Sequence, residues 1–406
     1  MGQLRYLTAG ESHGQALVGI LEGIVAGIEI CSAEIDEFLQ RRQRGYGRGA
    51  RMKIEKDRVQ ILSGVRHGKT LGSPIAVMVR NLDWKNWRQR MNPEPQAGEV
   101  ERLTIVRPGH ADLAGALKYG HDDVRNVLER ASARETAVRV ALGAIAHKFL
   151  RCFGIRILSQ VVQIGSVKSS ESFLSITTAS LSKDRHHLAT IAAKIEKSKI
   201  GCLSETAEPE MIRLISQTMA NQETVGGIFE VAAFFAPVGL GSHSHWDRRL
   251  DGRVASAMMS IPGIKSVEIG SGRDSATLAG SQLHDEIFYR QNYGIIRETN
   301  RAGGIEGGMS NGEPIVARCA MKPIPTLMKP LNSVNLEKLT NVMAHKERSD
   351  VCAVPAAAVV GEAVLSLVLA DCFCEKFGGD SLEELKQNFE NYTETTSRRL
   401  GHNRWS

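Results

Sequence analysis

Two histidines, each inside a glycine-containing turn, are the residues of this 406-residue sequence best suited to acid–base chemistry. His13 lies in Gly10-Glu11-Ser12-His13-Gly14, and His110 lies in Arg107-Pro108-Gly109-His110-Ala111-Asp112. A histidine titrates near pH ~6.5 and can therefore deliver a proton near neutrality, while glycine lets backbone approach a ligand closely. Taken alone, either histidine is more often structural, so a catalytic interpretation needs support from residues nearby.

Arginine-rich segments supply that support. Residues 41–51 read RRQRGYGRGAR, and residues 130–136 read RASARET, in which Arg130 precedes a capping box from Ser132 to Glu135 and Arg134 lies within it. A guanidinium binds phosphate or carboxylate through two parallel hydrogen bonds, and a helix N-terminus attracts anions. Together these residues predict a proton-transfer site for a small, multiply charged anion. An RNA-binding arm that uses Tyr46 as a stacking platform is the alternative for residues 41–51.

Two further motifs do not predict sites. Residues 64–70, GVRHGKT, resemble a phosphate-binding loop, but that loop needs four residues between its glycines and here there are three. Pro74 also prevents the helix that should follow. His243 and His245 could bind a metal ion, yet no acidic or cysteine cluster stands at ligand spacing. A polar loop is the better interpretation there, and we predict no metal site.

The composition is that of a globular chain. Hydrophobic residues make up 42% and charged residues 24%, which argues against a disordered protein, and the net charge of +6 is too small to require nucleic acid. Seven cysteines without a paired framework indicate reduced thiols in the cytoplasm. The N-terminus has no apolar signal core. The apolar stretch 351–370 is interrupted by Pro355, Gly361 and Glu362, so we predict a buried helix.

Periodicity predicts an α+β chain without regular strand–helix alternation. We expect helices over 32–42, from Ser132 to Gly154, over 336–346, over 356–377, and from a Ser381 cap to Tyr392. We expect one domain over 1–406, with a peripheral insert at about 166–222 and a frayed tail after about 392.

These motifs, in this order, resemble the chorismate synthase family. The resemblance covers about residues 5–390 and matches poorly only over 166–222. It is carried by residues 10–14, 22–27, 41–49, 107–112, 118–120, 130–136, 239–241, 267–270, 300–308, 321–326, 348–350, 353–357 and 362–363. The family fold is a β-α-β layered sandwich in which antiparallel sheets enclose helices, assembled as a homotetramer.

The resemblance also implies a reaction. Members of the family are lyases that convert 5-enolpyruvylshikimate 3-phosphate to chorismate and phosphate by an anti 1,4-elimination, in the shikimate pathway of aromatic amino-acid biosynthesis. Reduced FMN is required although there is no net redox change. This flavoprotein activity would leave the chain to bind, orient and supply protons. Because no reductase domain is appended, we expect a separate flavin reductase, with NADPH as a possible reductant.

Residue roles follow from the same resemblance. His13 matches the histidine that protonates the departing phosphate, His110 the one that protonates reduced flavin, and Asp350 the acid acting with flavin in removing the ring hydrogen. Ser12 and Ser132 join this relay. The expected FMN contacts are Arg130, Ala131, Ser132, Pro262, Gly263, Gly307, Lys322, Pro323, Ile324, Pro325, Thr326 and Arg348. The expected substrate or NADPH contacts are Ser12, Arg42, Arg48, Arg107 and Arg134.

Two other functions remain open on the sequence. An FMN-dependent oxidoreductase would use the same flavin and histidines but would consume NADPH stoichiometrically. An RNA-binding protein would use residues 41–51 and would show steeply salt-dependent affinity.

Overall fold

A computed structural model describes residues 4–49, 56–95, 98, 101–176, 185–291, 294–347 and 349–400. Its strands are β1 (Arg5–Ala9), β2 (Ala16–Glu22), β3 (Val59–Ile61), β4 (Val65–Arg66), β5 (Lys69–Thr70), β6 (Ile75–Arg80), β7 (Arg156–Ile164), β8 (Val167–Lys168), β9 (Gly227–Phe234), β10 (Ile264–Ile269), β11 (Ile287–Arg290), β12 (Gly294–Arg297), β13 (Ile305–Glu306), β14 (Met309–Ser310), β15 (Ile315–Met321), β16 (Asn332–Asn335) and β17 (Thr340–Met343).

The helices alternate irregularly with these strands. They are α1 (Ser32–Gln43), α2 (Trp84–Trp87), α3 (Asp112–Tyr119), α4 (Arg125–Ala131), α5 (Thr136–Arg151), α6 (Phe173–Ile176), α7 (Arg185–Lys197), α8 (Ala207–Ala220), α9 (Leu250–Met259), α10 (Gly280–Leu283), α11 (Val354–Phe377) and α12 (Leu382–Leu400), with 3₁₀ turns at Ala133–Glu135, Trp246–Arg248 and Gly272–Thr277. The predicted α+β class is confirmed.

Two antiparallel sheets pack on a central pair of helices. One sheet has the order β1-β2-β6-β3 and contacts α5, and the other has the order β10-β15-β9-β7-β8 and contacts α11. The helices α5 and α11 also pack on each other, and both are buried along almost their whole length. Helix α11 is long and apolar enough to cross a membrane, but 89% of its apolar window is buried inside the protein. It is a core helix, as residues 351–370 predicted.

Glycine permits the close approach of α5 and α11. A Cβ atom added at Gly143 would stand 2.4 Å from the Cβ and 2.6 Å from the Cα of Ala363. Small residues on both helices thus bring the backbones together, and the two sheets are positioned through this contact. The apolar stripe that predicted a helix after Ser132 lies against this core.

Strand β9 lies between two hydrophobic clusters, and its successive side chains point alternately into one and the other. Phe229, Val231 and Ala233 belong to the main core, which includes α11. Ala232 and Phe234 belong to a second cluster formed with helices of the 166–222 segment. That segment therefore covers the outer face of the five-stranded sheet. Since successive side chains of a strand point to opposite faces, both faces of this sheet must be apolar.

The end of the segment also contacts the arginine-rich loop that follows α1. The Tyr46 hydroxyl lies 2.9 Å from the Ser216 hydroxyl, the Tyr46 amide donates to the Lys199 carbonyl, and Arg44 pairs with Glu196. The 166–222 segment thus supports the loop that carries Arg48. Residues 50–51 of the loop, and residues 177–184 of the segment, lie outside the described residues.

Several sequence predictions of local structure need correction. The predicted helix 336–346 is wrong, because β16 and β17 form a hairpin there. The Asn335 side chain accepts hydrogen bonds from the amides of Glu337 and Lys338, which turns the chain instead of continuing it. The last helix, α12, continues past Tyr392 to Leu400, into the segment expected to fray.

The predicted helix start at Ser132 is also displaced. The Ser132 hydroxyl accepts from the Arg134 amide at 3.3 Å, but it caps a 3₁₀ turn, and α5 begins only at Thr136. Glu135 does not complete a capping box, because its carboxylate binds Thr8 at 2.7 Å and Arg139 at 3.0 Å. Residues 64–70, whose glycine spacing excluded a phosphate-binding loop, form the β4–β5 hairpin.

A buried polar network crosses the core. Arg41 donates two hydrogen bonds of 2.8 Å to Glu362, which also accepts from the amide and hydroxyl of Ser159. His147 lies beside them with its ring 4.9 Å from that of Phe38. Burial lowers the pKa of His147 to about 4. The histidine is therefore neutral in the folded protein at neutral pH.

We predict that Gly143→Ala destabilises the fold by about 1–3 kcal/mol, because the new methyl group must push α11 away. Gly252→Ala is the matched control, since Gly252 lies in α9 and its nearest neighbouring atom would be 3.8 Å from the new Cβ. That substitution should be neutral or stabilising by up to about 1 kcal/mol. Chemical denaturation measures both, and equal effects of the two substitutions would contradict close packing at Gly143.

The lowered pKa of His147 predicts how the free energy of unfolding depends on pH. In the unfolded chain His147 is protonated below pH ~6.5, whereas in the folded protein it is protonated only below about pH 4. Stability is therefore lost as the pH falls from ~6.5 to about 4. The loss should approach about 3 kcal/mol. His147→Gln should flatten the dependence of unfolding free energy on pH between 6.5 and 4.5. An unchanged slope in the variant would show that another group controls this range.

Candidate active site

A cavity of about 380 Å³ opens where α5 and α11 begin. The loops before α3, after β15 and before α11 complete its walls. It brings together most residues that the sequence singled out: Ser12, His13, Arg42, Arg48, Arg107, His110, Ala131, Ser132, Arg134, Pro262, Gly263, Lys322, Pro323, Ile324, Pro325, Thr326 and Asp350. Residues that are far apart in the sequence thus converge on one volume.

Two expected residues of the described part of the chain, Arg130 and Gly307, are not among those that line the cavity. Arg130 is exposed and donates to the carbonyl oxygens of Thr8 and Gly10, at 2.9 and 3.1 Å. Gly307 lies in the turn between β13 and β14, where its positive φ of 59° suits a glycine. Arg348 lies outside the described residues.

A buried carboxylate, Asp57, holds two of the cavity arginines. Arg42 lies 2.8 Å and Arg134 2.6 Å from its oxygen atoms, and all three side chains are at most 6% exposed. Burial raises the pKa of Asp57, but the charges of Arg134 and Arg42 outweigh this and lower it on balance. The carboxylate is therefore ionised, and it fixes both guanidinium groups in place. Asp57 had no motif of its own, so the sequence analysis missed it.

Asp350 binds the loop that follows α1. Its carboxylate accepts from the Gly49 amide at 2.6 Å and pairs with Arg48 at 2.9 Å, and the Val351 amide donates to the Gly47 carbonyl. A Cβ at Gly49 would come within 2.9 Å of the Ser349 carbonyl, so a glycine is needed there. The loop and Asp350 therefore form one wall of the cavity.

Each cavity histidine is paired with a carboxylate through Nδ1. His13 Nδ1 lies 2.9 Å from Glu129, and His110 Nδ1 lies 2.5 Å from Asp112. Burial raises the pKa of Asp112, but hydrogen bonds from His110 and Arg107 lower it to about 2. A carboxylate oxygen accepts, so each pair places the hydrogen on Nδ1 and leaves Nε2 for other partners. At His110 the Arg107 guanidinium also lies 3.1 Å from Nδ1.

Arg107 ties the His110 pair to the neighbouring wall. Its Nε donates to Asp112 at 2.9 Å, and one Nη donates to Thr326 at 3.1 Å and to Glu347 at 3.2 Å. Burial raises the pKa of Glu347, but the hydrogen bond from His345 and the charges of Arg107 and His13 lower it on balance. Glu347 is a second acidic residue that no sequence signal indicated.

The remaining wall is largely apolar, with the charged side chain of Lys322 among its residues. It is lined by Ile261, Pro262, Met321, Pro323, Ala356 and Val360. A flat, largely apolar ring could lie against such a surface, while the arginines of the cavity supply donors for anionic groups. The cavity can therefore bind several negative charges and place two proton-carrying histidines beside them.

Comparison with known proteins identifies the family of this chain. The sequence model of the family described as chorismate synthase matches residues 4–374. The chorismate synthase of Alkaliphilus metalliredigens is 54% identical over 389 residues, 96% of this chain and 99% of the relative. The chorismate synthase of Aquifex aeolicus is 53% identical over 390 residues, 96% of this chain and 97% of the relative.

A solved structure gives the same result. A crystal structure of chorismate synthase matches with a TM-score of 0.77 at 45% identity, covering 97% of this chain and 98% of its own. The resemblance found in the sequence is confirmed. The chain belongs to the chorismate synthase family, lyases that convert 5-enolpyruvylshikimate 3-phosphate to chorismate in the shikimate pathway.

Proposed function

We propose that this cavity is where the chain converts 5-enolpyruvylshikimate 3-phosphate to chorismate and phosphate. The observation that carries the proposal is the meeting of two carboxylate-paired histidines with a cluster of buried arginines in one cavity. The substrate bears a phosphate and two carboxylates, and such charges leave water only for charged, hydrogen-bonded partners.

The arginines bind the substrate anions. Arg42 and Arg134 both bind the buried carboxylate of Asp57, which holds two cations at the wall of the cavity. The buried Nε atom of Arg42 has no hydrogen-bond partner within the described parts of the chain. Arg107 and Arg48 add further positively charged side chains to the lining. We assign Arg42 and Arg48 to the substrate in preference to NADPH, because their charges face the same cavity as the histidines.

Reduced FMN binds against the apolar wall, and the chemistry of the lining supports this. Residues 261–263 and 321–326 combine flat apolar surface with the cation of Lys322, whose ammonium group donates to the Gly109 carbonyl. Ala131, Ser132 and Arg348 belong to the proposed contacts, and Arg130 and Gly307 would have to act from outside the cavity lining. When bound, the flavin supplies transient electron density to the reaction.

The side chains perform the proton transfers. His13 gives its proton to the leaving phosphate from Nε2, while Glu129 retains the hydrogen at Nδ1. His110 does the same toward the flavin, with Asp112 as its partner. Asp350 assists removal of the ring hydrogen, and the Ser132 hydroxyl donates to that of Ser12 at 3.1 Å, which links the two serines of the relay.

The wider assignments rest on the same family. We propose a single domain with the β-α-β layered sandwich, a homotetramer in the cytoplasm, and flavin reduction by a separate reductase that draws on NADPH. The contacts of α5 with one sheet and α11 with the other support the layered description.

The two histidines should give different defects. His13→Ala should release phosphate about 10²–10⁴-fold more slowly, since general acid catalysis is worth that much, while binding reduced FMN normally. His110→Ala should alter the pH dependence of the bound reduced-flavin spectrum. Substrate affinity should weaken far less than turnover in either variant, because the arginines remain.

The measurements are single-turnover phosphate release and anaerobic flavin spectra with photoreduced FMN. His245→Ala is the matched control, since His245 is exposed and lies outside the cavity lining. Near-normal turnover in both variants would contradict the catalytic roles of His13 and His110. Oxidation of one NADPH for each product molecule formed would favour the oxidoreductase alternative.

A further inference from the structure

The His13 ring is enclosed by contacts that a solvent-exposed histidine would not need. Its ring stacks on Trp87 with centroids 3.7 Å apart and an interplanar angle of 23°. Trp87 is held in turn, because its Nε1 donates to Asp83 at 3.1 Å and the Arg125 guanidinium lies 5.5 Å from its ring. The plane of the imidazole is therefore fixed by a packed aromatic neighbour.

Glu129 contacts the same histidine at two points and the preceding residue, Ser12, at a third. Its side-chain carboxylate accepts from the His13 amide at 2.8 Å and from Nδ1 at 2.9 Å, and its backbone carbonyl accepts from the Ser12 amide at 3.0 Å. The Glu129 side chain is fully buried, and its only cationic neighbour besides His13 in the described residues is Arg125, at 3.4 Å. One residue thus sets both the backbone and the ring of His13.

We infer that Glu129 is a positioning residue that makes His13 a proton donor through Nε2 toward the cavity. This inference rests on the proposed function of His13. An ionised carboxylate at Nδ1 requires the hydrogen there, so a transferable proton at Nε2 exists only in the imidazolium form. Glu129 compensates that positive charge beside an arginine-rich cavity, where an imidazolium would otherwise be repelled. The analogous carboxylate of a catalytic triad acts through its histidine in the same way.

Other charges also act on the ring and determine how its protonation depends on pH. A second cavity shares His13 and Glu347 with the first and lies on the Trp87 side. The titratable and charged groups that line it or bind Glu129 are Asp83, Arg90, Glu101, Arg102, Arg125, His345 and Glu347. Most of the groups of both signs are more exposed than Glu129, so water screens them more strongly.

The test replaces the carboxylate while leaving His13 in place. Glu129→Gln should slow single-turnover phosphate release at pH 7.5 by at least about 10-fold, part of the ~10²–10⁴-fold worth of a general acid. In the pH–rate profile, the high-pH limb, where the rate falls as the pH rises, should lie about 1 pH unit lower in the variant. At acidic pH the rate of the variant should therefore approach that of wild type. Glu230→Gln is the matched control, because Glu230 is equally buried and ion-paired, to Arg318, but lies in β9.

A second readout needs no flavin. Binding of 5-enolpyruvylshikimate 3-phosphate to flavin-free protein is measured by calorimetry. As the pH is raised, the affinity should begin to fall at a lower pH in Glu129→Gln than in wild type, because the variant loses the imidazolium that faces the phosphate at a lower pH. Glu129→Asp keeps the charge and shortens the side chain. Glu129→Asp should lower the rate but leave the high-pH limb of the pH–rate profile near its wild-type position. This variant also replaces Glu129→Gln in the test if the Gln variant does not fold.

The outcomes separate the two claims. A slow His13→Asn variant beside a Glu129→Gln variant with unchanged rate and limb would overturn the role of Glu129 alone. A His13→Asn variant with normal turnover would overturn the proposed function of His13 itself. Equal limb shifts in the Asp and Gln variants would show that Glu129 acts through packing and not through its charge.

Discussion

Asp57 is buried between Arg42 and Arg134, and the cavity depends on this arrangement. Burial lowers the pKa of Arg42, Asp57 raises it, and the charges of Arg134 and Arg48 lower it again. A buried ion pair adds little net stability when its partners could be apolar, but removing one partner leaves an uncompensated buried charge. Asp57 thus fixes the position of two buried cations at the wall of the cavity.

The fold supplies this arrangement from both sides. The close contact of α5 with α11 at Gly143 and Ala363 brings together the start of each helix, where the cavity opens. The four-stranded sheet packs on one helix and the five-stranded sheet on the other. The 166–222 segment then holds the loop after α1 from outside, through Tyr46 and Ser216. A segment with no site residue of its own thus helps to position Arg48.

Sequence alone predicted part of the fold and which residues meet in the cavity. The α+β class, the buried helix at 356–377 and the choice of the histidines and arginines that line the cavity followed from local patterns. The partners that fix those residues did not, because Asp57 and Glu129 have no motif and meet their histidine or arginines only in the folded chain. The hairpin at 332–343 was missed for a local reason: the Asn335 side chain turns the backbone where helix periodicity continues. The sheet order likewise depends on contacts between distant segments.

The direct test of preorganisation is the affinity of Asp57→Asn for 5-enolpyruvylshikimate 3-phosphate, measured by calorimetry on protein whose thermal unfolding transition is retained. The substitution adds one positive charge to the cavity but frees both arginines to move. If Asp57 orients them, affinity should fall by about 10-fold or more, equivalent to about 1.4 kcal/mol. If only the number of positive charges matters, affinity should rise. An increase in affinity would therefore contradict preorganisation of the arginines by Asp57.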